Sequence, residues 1–163
     1  MGVAGPARVV ALRVLARQRR RDARARELLR ASREMSALGP KGRALASRLV
    51  FGVNVARGAL DALIDGAATR PSAIQPLVRD ALRIAAFEIL YLDTPTQVAV
   101  SQGVELVRGV QPRAARMANA VLRRIAELRD EVDGAREAVA AASRGEREDV
   151  LARELSVASG YPE

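Results

Sequence analysis

The chain has 163 residues and a formal net charge of +8, and 49% of it is apolar, mostly Ala, Val and Leu, with two Phe, two Tyr and no Trp. That length suits one domain that buries roughly 70% of its unfolded surface, in a core that must be built from interlocking aliphatic helices. Cys and His are both absent, which excludes disulfides, thiolate nucleophiles, imidazole bases and zinc sites with Cys or His ligands.

In chain order, the spacing of apolar residues predicts a first helix from Ala7 to about Gln18, carrying Val9, Val10, Leu12, Val14 and Leu15. A second, short helix is predicted over about Ala23 to Arg33, followed by a Gly39-Pro40-Lys41-Gly42 turn. A long helix from about Lys41 to Ala67 then presents Leu45, Leu49, Val53, Leu60 and Ile64. Gly52 and Gly58 interrupt it, each at a cost of about 1 kcal/mol relative to Ala. Either a neighbouring helix packs closely there or the helix bends. Gln75 to Leu92 has the clearest stripe, Val78, Leu82, Ala85, Ile89 and Leu92, widened by Leu77, Ile84 and Phe87, as expected of a central helix. Asp93-Thr94-Pro95 reads as a stop, a cap and a restart.

Two more helices are predicted, about Pro95 to Arg108 and Pro112 to Arg129, the latter with Met117, Val121, Ile125 and Leu128 facing inward. After Asp133 the chain is Ala-rich, charged and weakly periodic, consistent with one or two exposed helices to Leu155 and a linker over Ser156 to Glu163. Pro6, Pro40, Pro71, Pro76, Pro95 and Pro112 all fall between the helical runs. No strand pattern or internal repeat is present, so the expected fold is an all-α bundle of about six or seven helices. No apolar run approaches the ~20 residues of a membrane span, and no h-region follows the arginine-rich start. A soluble, cytoplasmic protein without a membrane partner is expected.

Charge is unevenly distributed. Between Arg8 and Arg33 ten Arg face only Asp22 and Glu27, leaving +8, whereas from Glu127 to Glu154 nine acids face five Arg, leaving −4. A basic head of this kind suits a polyanion, nucleic acid above all. Lys41 is the only lysine among 27 basic residues. Genomic bias accounts for that preference for Arg, but not for the clustering.

Several motifs occur in order. Arg8, Ala11, Val14 and Leu15 form Arg-x-x-Ala-x-x-Val-Leu. Leu49 to Val53 reads Leu-Val-x-Gly-Val, and Leu60-Asp61 with Ile64 reads Leu-Asp-x-x-Ile. Val78-Arg79, Leu82-Arg83 and Leu90 make a fourth motif, and Pro95, Ala99-Val100 and Val104 to Leu106 a fifth. Asn119-Ala120-Val121-Leu122-Arg123-Arg124-Ile125 completes the set. Together, over about residues 7 to 126, they resemble the NusB-like domain, and in particular the N-terminal domain of the RsmB/Sun family of ribosomal RNA cytosine-C5 methyltransferases. The antitermination factor NusB usually reads Asn-Gly-Val-Leu-Asp where this chain has Asn119 to Arg123. The gap Gly109 to Pro112 is shorter and less polar than in the family, and Met117-Ala118 stands where an aromatic residue is common.

The resemblance implies a NusB-like RNA-binding domain over residues 1–133. It also implies an extension and linker over 134–163, toward a C-terminal methyltransferase domain that this chain does not contain. Ser159 to Glu163 is similar to the linker that precedes the family's catalytic half. No cofactor is expected in the chain itself. S-adenosylmethionine is expected for the longer parent, and the family's two catalytic cysteines have no counterpart here. Implied partners are ribosomal RNA and the parent's own methyltransferase domain. In the alternative reading, a free-standing antitermination factor, a small-subunit ribosomal protein binds alongside RNA. A third reading is a structural module that contacts only its own catalytic domain.

The candidate RNA-binding residues are Arg13, Arg17, Arg19, Arg20, Arg21 and Arg24, with Arg123 and Arg124. Guanidinium forks bind phosphate oxygens bidentately and stay charged at working pH. Arg13 and Arg17 lie one turn apart, and Arg19-Arg20-Arg21 is expected to extend their face into the following loop. In NusB the corresponding region is arginine-rich and contacts RNA, which the resemblance implies here. The competing reading is a solvated basic surface. Arg123 and Arg124 either extend the basic surface or are ordinary outward charges. Asn119 either is a buried amide bonded to loop backbone or contacts RNA. Glu88 and Glu105 are expected at helix margins or paired with arginine, and no catalytic pair assembles. With so few aromatics, binding should be electrostatic rather than based on stacking.

Overall fold

A computed structural model describes residues 2–158, leaving the side chains of residues 150, 151 and 154–158 aside. The described residues hold seven α-helices: α1 (Pro6–Arg21), α2 (Ala25–Ala31), α3 (Arg33–Ala37), α4 (Pro40–Ala67), α5 (Pro76–Tyr91), α6 (Thr96–Val110) and α7 (Ala115–Ala158). Short 3-10 turns at Pro71–Ala73 and Pro112–Ala114 introduce α5 and α7. Among the described residues there is no strand, and the fold is all-α as predicted. None of these helices is long and apolar enough to cross a membrane.

The prolines set the starts. Pro6, Pro40 and Pro76 each open a helix at its first turn, and Pro95 caps α6, where a missing N–H costs nothing and φ is preset. Helix α1 ends at Asp22, whose φ of 49° lies in the left-handed region and whose N–H bonds the Gln18 carbonyl at 3.0 Å.

The chain divides into two compact units between Glu127 and Leu128. In the first, α5 is the central element and packs against α1, α4 and α6. Leu82, Ile84 and Ile89 of α5 meet Leu49, Leu60 and Ile64 of α4 and Leu122 and Ile125 of α7 in one core, all essentially inaccessible to water. The second unit is the remainder of α7. Its side chains are mostly exposed, and Arg129 pairs with Asp133 one turn on, at 3.4 Å.

Gly52 resolves the question its position raised. The helix runs through it unbroken, and a Cβ there would lie 2.0 Å from Cζ of Phe87. The glycine is a notch for that ring, so close packing is the reason. Gly58 has nothing within 4 Å and serves no such purpose. Gly103 of α6 is a second notch, where a Cβ would come within 2.5 Å of Ala85 and 2.7 Å of Leu122.

Several expectations need correction. The predicted helix over residues 23–33 is two helices. Ser32 breaks it because its hydroxyl accepts from the Met35 N–H at 3.4 Å and donates to Glu34 at 3.2 Å, capping α3. Thr94 does not cap α6; its hydroxyl donates to Glu88 Oε1 at 2.9 Å. Leu128 is 42% exposed rather than inward-facing, and it is the first residue of the second unit. Asn119 is half-buried, and among the described residues its amide bonds no loop backbone. The linker expected from Ser156 begins inside α7, and residues 159–163 lie outside the described residues.

Candidate nucleic-acid interface

Helix geometry sorts the basic head before any ligand is considered. Arg19, Arg20 and Arg21 form the last turn of α1 rather than a loop, where positive charge complements the helix dipole. Successive residues on a helix point about 100° apart, so the run cannot act as one patch. Arg19 turns inward and forms an ion pair with the buried Asp80 of α5. Arg20 instead donates from Nε to the Ala16 carbonyl at 3.3 Å and keeps its charge toward solvent. Arg21 and Arg24 are exposed, Arg24 beyond the turn at Asp22 as the residue preceding α2.

Arg13, Arg17 and Arg20 share one face and line a groove of about 730 Å³. Its apolar floor includes Val9, Leu12 and Leu77, and its far wall is α6 with Leu106, Arg108 and Val110. The face is not a bare array of cations. Glu34 of α3 lies 2.9 Å from Arg13 and 3.7 Å from Arg17, so one carboxylate serves both. All three groups are substantially exposed, so the pairing is weak and open to exchange for a phosphate. Arg108 adds a partly exposed cation to the groove; its Nε is buried 3.4 Å from Glu105 Oε1, without a hydrogen-bond partner among the described residues.

The two remaining candidates part company. Arg123 is exposed and lines none of the described grooves. Arg124 donates to the Ala67 carbonyl at 2.9 Å, satisfying an orphan acceptor at the C-terminus of α4. It also lines a second groove of about 420 Å³ with Arg70 and Arg113. Sequence reasoning missed Arg70, Arg108 and Arg113, because each is an isolated cation that only the fold brings beside others.

Beneath α1 lies an ionic network. Arg83 bonds Asp61 through Nε at 2.8 Å and Nη2 at 2.9 Å, and Asp80 through Nη1 at 2.9 Å. Arg79 reaches Asp61 at 3.3 Å, Asp65 at 2.7 Å and the Pro71 carbonyl at 3.2 Å. Burial works to raise the Asp61 carboxyl, but Arg83 and then Arg79 outweigh it and hold the group below the ordinary carboxylate range. Burial pushes Asp80 up, against the pull of Arg19, Arg83 and Arg57. For Arg83, desolvation acts to lower its pKa, and the two carboxylates together raise it. A separate pair ties α1 to the far end of α5: Arg8 donates Nε to Glu88 Oε2 at 2.9 Å and Nη2 to Oε1. Glu88 is therefore a buried, fully partnered carboxylate, and Glu105 sits beside Arg108. Both acids pair with arginine, as the sequence suggested.

Fold and surface together define an all-α module with an arginine-lined groove beside its first helix. The NusB family profile matches residues 6–127, and the chain belongs to that family. Two Mycobacterium tuberculosis proteins, from strains CDC 1551 and H37Rv, both named as methyltransferases, are 40% identical to it over 124 residues, which is 74% of this chain and 27% of theirs. The chain thus spans little more than a quarter of these relatives. The transcription antitermination protein NusB of Desulfotalea psychrophila is 38% identical over 78 residues, 46% of this chain and 55% of that protein. Among solved structures, T. maritima NusB superposes with a TM-score of 0.65 at 21% identity, over 77% of this chain and 93% of that one. That likeness concerns the fold.

Proposed function

We propose that this chain is the RNA-binding accessory domain of an S-adenosylmethionine-dependent small-subunit ribosomal RNA (cytosine-C5) methyltransferase. It recruits or orients ribosomal RNA for a catalytic domain outside this chain. In this reading residues 1–133 bind RNA and residues 134–163 lead toward the methyltransferase domain. The observation that carries it is the 40% identity to methyltransferase-named relatives of which the chain spans only 27%. The groove beside α1 supports the RNA part: Arg13, Arg17, Arg20 and Arg108 supply phosphate donors around an apolar floor.

The second reading is a free-standing antitermination factor that binds RNA with a small-subunit ribosomal protein. It is favoured by the 38% identity to a protein so named. The reading frame after Glu163 distinguishes the two. A methyltransferase domain there supports the first, and an immediate stop codon overturns it. RNA binding itself is tested by filter binding at increasing salt, where each phosphate contact on a single strand contributes about 0.7 to the slope of log affinity against log salt. A salt-independent titration would overturn both readings.

A further inference from the structure

The two arginine-lined grooves are bordered by the same two chain segments. Leu77 lines the first and Val78 the second; Val110 lines the first and Gln111 the second. Successive residues there face different directions, so the start of α5 and the end of α6 border both grooves. The second groove brings together residues far apart in sequence: Arg70 before α5, Arg113 between α6 and α7, and Arg124 on α7. No acid is among its lining residues, and Ile74, Val78, Met117 and Val121 give it an apolar floor flanked by Gln75 and Gln111. Arg70 and Arg113 are exposed, and their side chains make no ion pair or hydrogen bond among the described residues.

We infer that one single-stranded RNA segment crosses from the α1 groove over the α5–α6 seam into this second groove, with phosphates on Arg70 and Arg113 and an unstacked base against the apolar floor. This rests on the RNA reading above and extends it. The volume of about 420 Å³ lies within the range of small-ligand sites. The Gln75 and Gln111 amides offer both donors and acceptors to a base edge. A concave track with cations at intervals fits a flexible strand whose bases can leave the stack, whereas a duplex keeps its bases inside. Arg124 plays a different part, since by holding the Ala67 carbonyl it fixes the end of α4, which forms one wall.

The test compares the full chain with R70A/R113A, leaving Arg124 intact so that folding is not confounded, and with R13A/R17A/R20A. Helicity of each is checked by circular dichroism. Binding is measured by fluorescence anisotropy over a salt series. One probe is a single-stranded RNA on the order of ten nucleotides and the other about four, the span of site sizes seen for single-strand grooves. The expected result is that R70A/R113A lowers the salt slope on the longer RNA by about 1.4, two phosphate contacts' worth, and leaves the shorter RNA unaffected. R13A/R17A/R20A weakens both. An unchanged slope on the longer RNA, with binding still lost in R13A/R17A/R20A, overturns the two-groove track and leaves the RNA reading standing. Binding of polyglutamate that depends on Arg70 and Arg113 while RNA binding does not overturns it in favour of an acidic protein partner. Failure of the unmodified chain to bind either RNA overturns the track together with the RNA reading.

Discussion

Arg83 of α5 grips Asp61 of α4 with two hydrogen bonds, Nε to Oδ1 at 2.8 Å and Nη2 to Oδ2 at 2.9 Å. Both residues belong to motifs visible in the sequence, Leu60-Asp61-x-x-Ile64 and Val78-Arg79-x-x-Leu82-Arg83. Their spacing has a physical reason. Leu60, Ile64, Val78 and Leu82 are core, and the charged residue beside each apolar one stands at the seam where the two helices face each other. Replacing Asp61 with Ala leaves Arg83 with Asp80 alone and Arg79 with Asp65 and the Pro71 carbonyl. Loss of about 1 to 2 kcal/mol in urea unfolding is expected, below the full cost of breaking a buried pair because both arginines keep a partner and Asp61 is partly exposed.

The same carboxylate makes stability depend on pH. Because the folded Asp61 carboxyl lies below the ordinary range, its contribution is complete above the unfolded value of about 3.9 and is lost as pH falls through the folded one. The stability gap between the unmodified protein and Asp61→Asn should therefore narrow below about pH 4. Asp80 has the opposite sign. Its raised carboxyl means that ionisation costs stability as pH climbs from the ordinary value through the folded one, so Asp80→Asn should gain relative to the unmodified chain over that rise. Parallel thermal melts from pH 3 to 7 check both signs, about the range in which carboxylates titrate.

Arg8 and Glu88 form a pair with one member almost inaccessible to water. Arg8→Met leaves a buried carboxylate without its counter-charge and should cost about 3 to 5 kcal/mol, whereas Arg8→Met with Glu88→Leu should recover most of it. A double-mutant cycle in denaturant gives the coupling directly. An additive result would mean that the pair contributes no specific interaction.

Gly52 and Gly58 occupy the same helix and should respond in opposite directions. Gly58→Ala meets nothing within 4 Å and should stabilise by about 1 kcal/mol through helix propensity alone. Gly52→Ala gains the same propensity but drives a methyl group into the Phe87 ring, which is stacked on Tyr91 with centroids 5.1 Å apart. Overpacking of about 1 to 3 kcal/mol outweighs the gain, so its melting temperature should fall.

Adjacent arginines of α1 should separate by function. Arg19→Ala removes a partner of Asp80 and should lower the unfolding midpoint while leaving most RNA affinity. Arg20→Ala, on the groove side, should weaken RNA binding and shift the salt slope by about 0.7 with little effect on stability. Measuring both properties for both variants makes the contrast decisive.

Helix number, the central role of α5 and the positions of most turns were legible because apolar spacing and proline report directly on packing and on helix starts. Ser32 was harder to read. A serine within a short, charged run is equally compatible with a helix interior, and only its bond to Met35 makes it a cap. The interface was half legible. Clustering drew attention to Arg13, Arg17 and Arg20, but it grouped Arg19 with them, since adjacency in sequence conceals the turn of the helix. Arg70, Arg108 and Arg113 gave no signal, because each becomes part of a groove only after distant segments pack together.

Gly103 carries a consequence beyond the core. With Ala85 on one side and Leu122 on the other, it sets how closely α6 approaches α5 and the first turns of α7, and the ends of those same elements supply walls of both grooves. A larger side chain there would act as a wedge, changing the width of surfaces it never touches. The openings of both grooves are thereby tied to a residue in the middle of the bundle that lines neither of them.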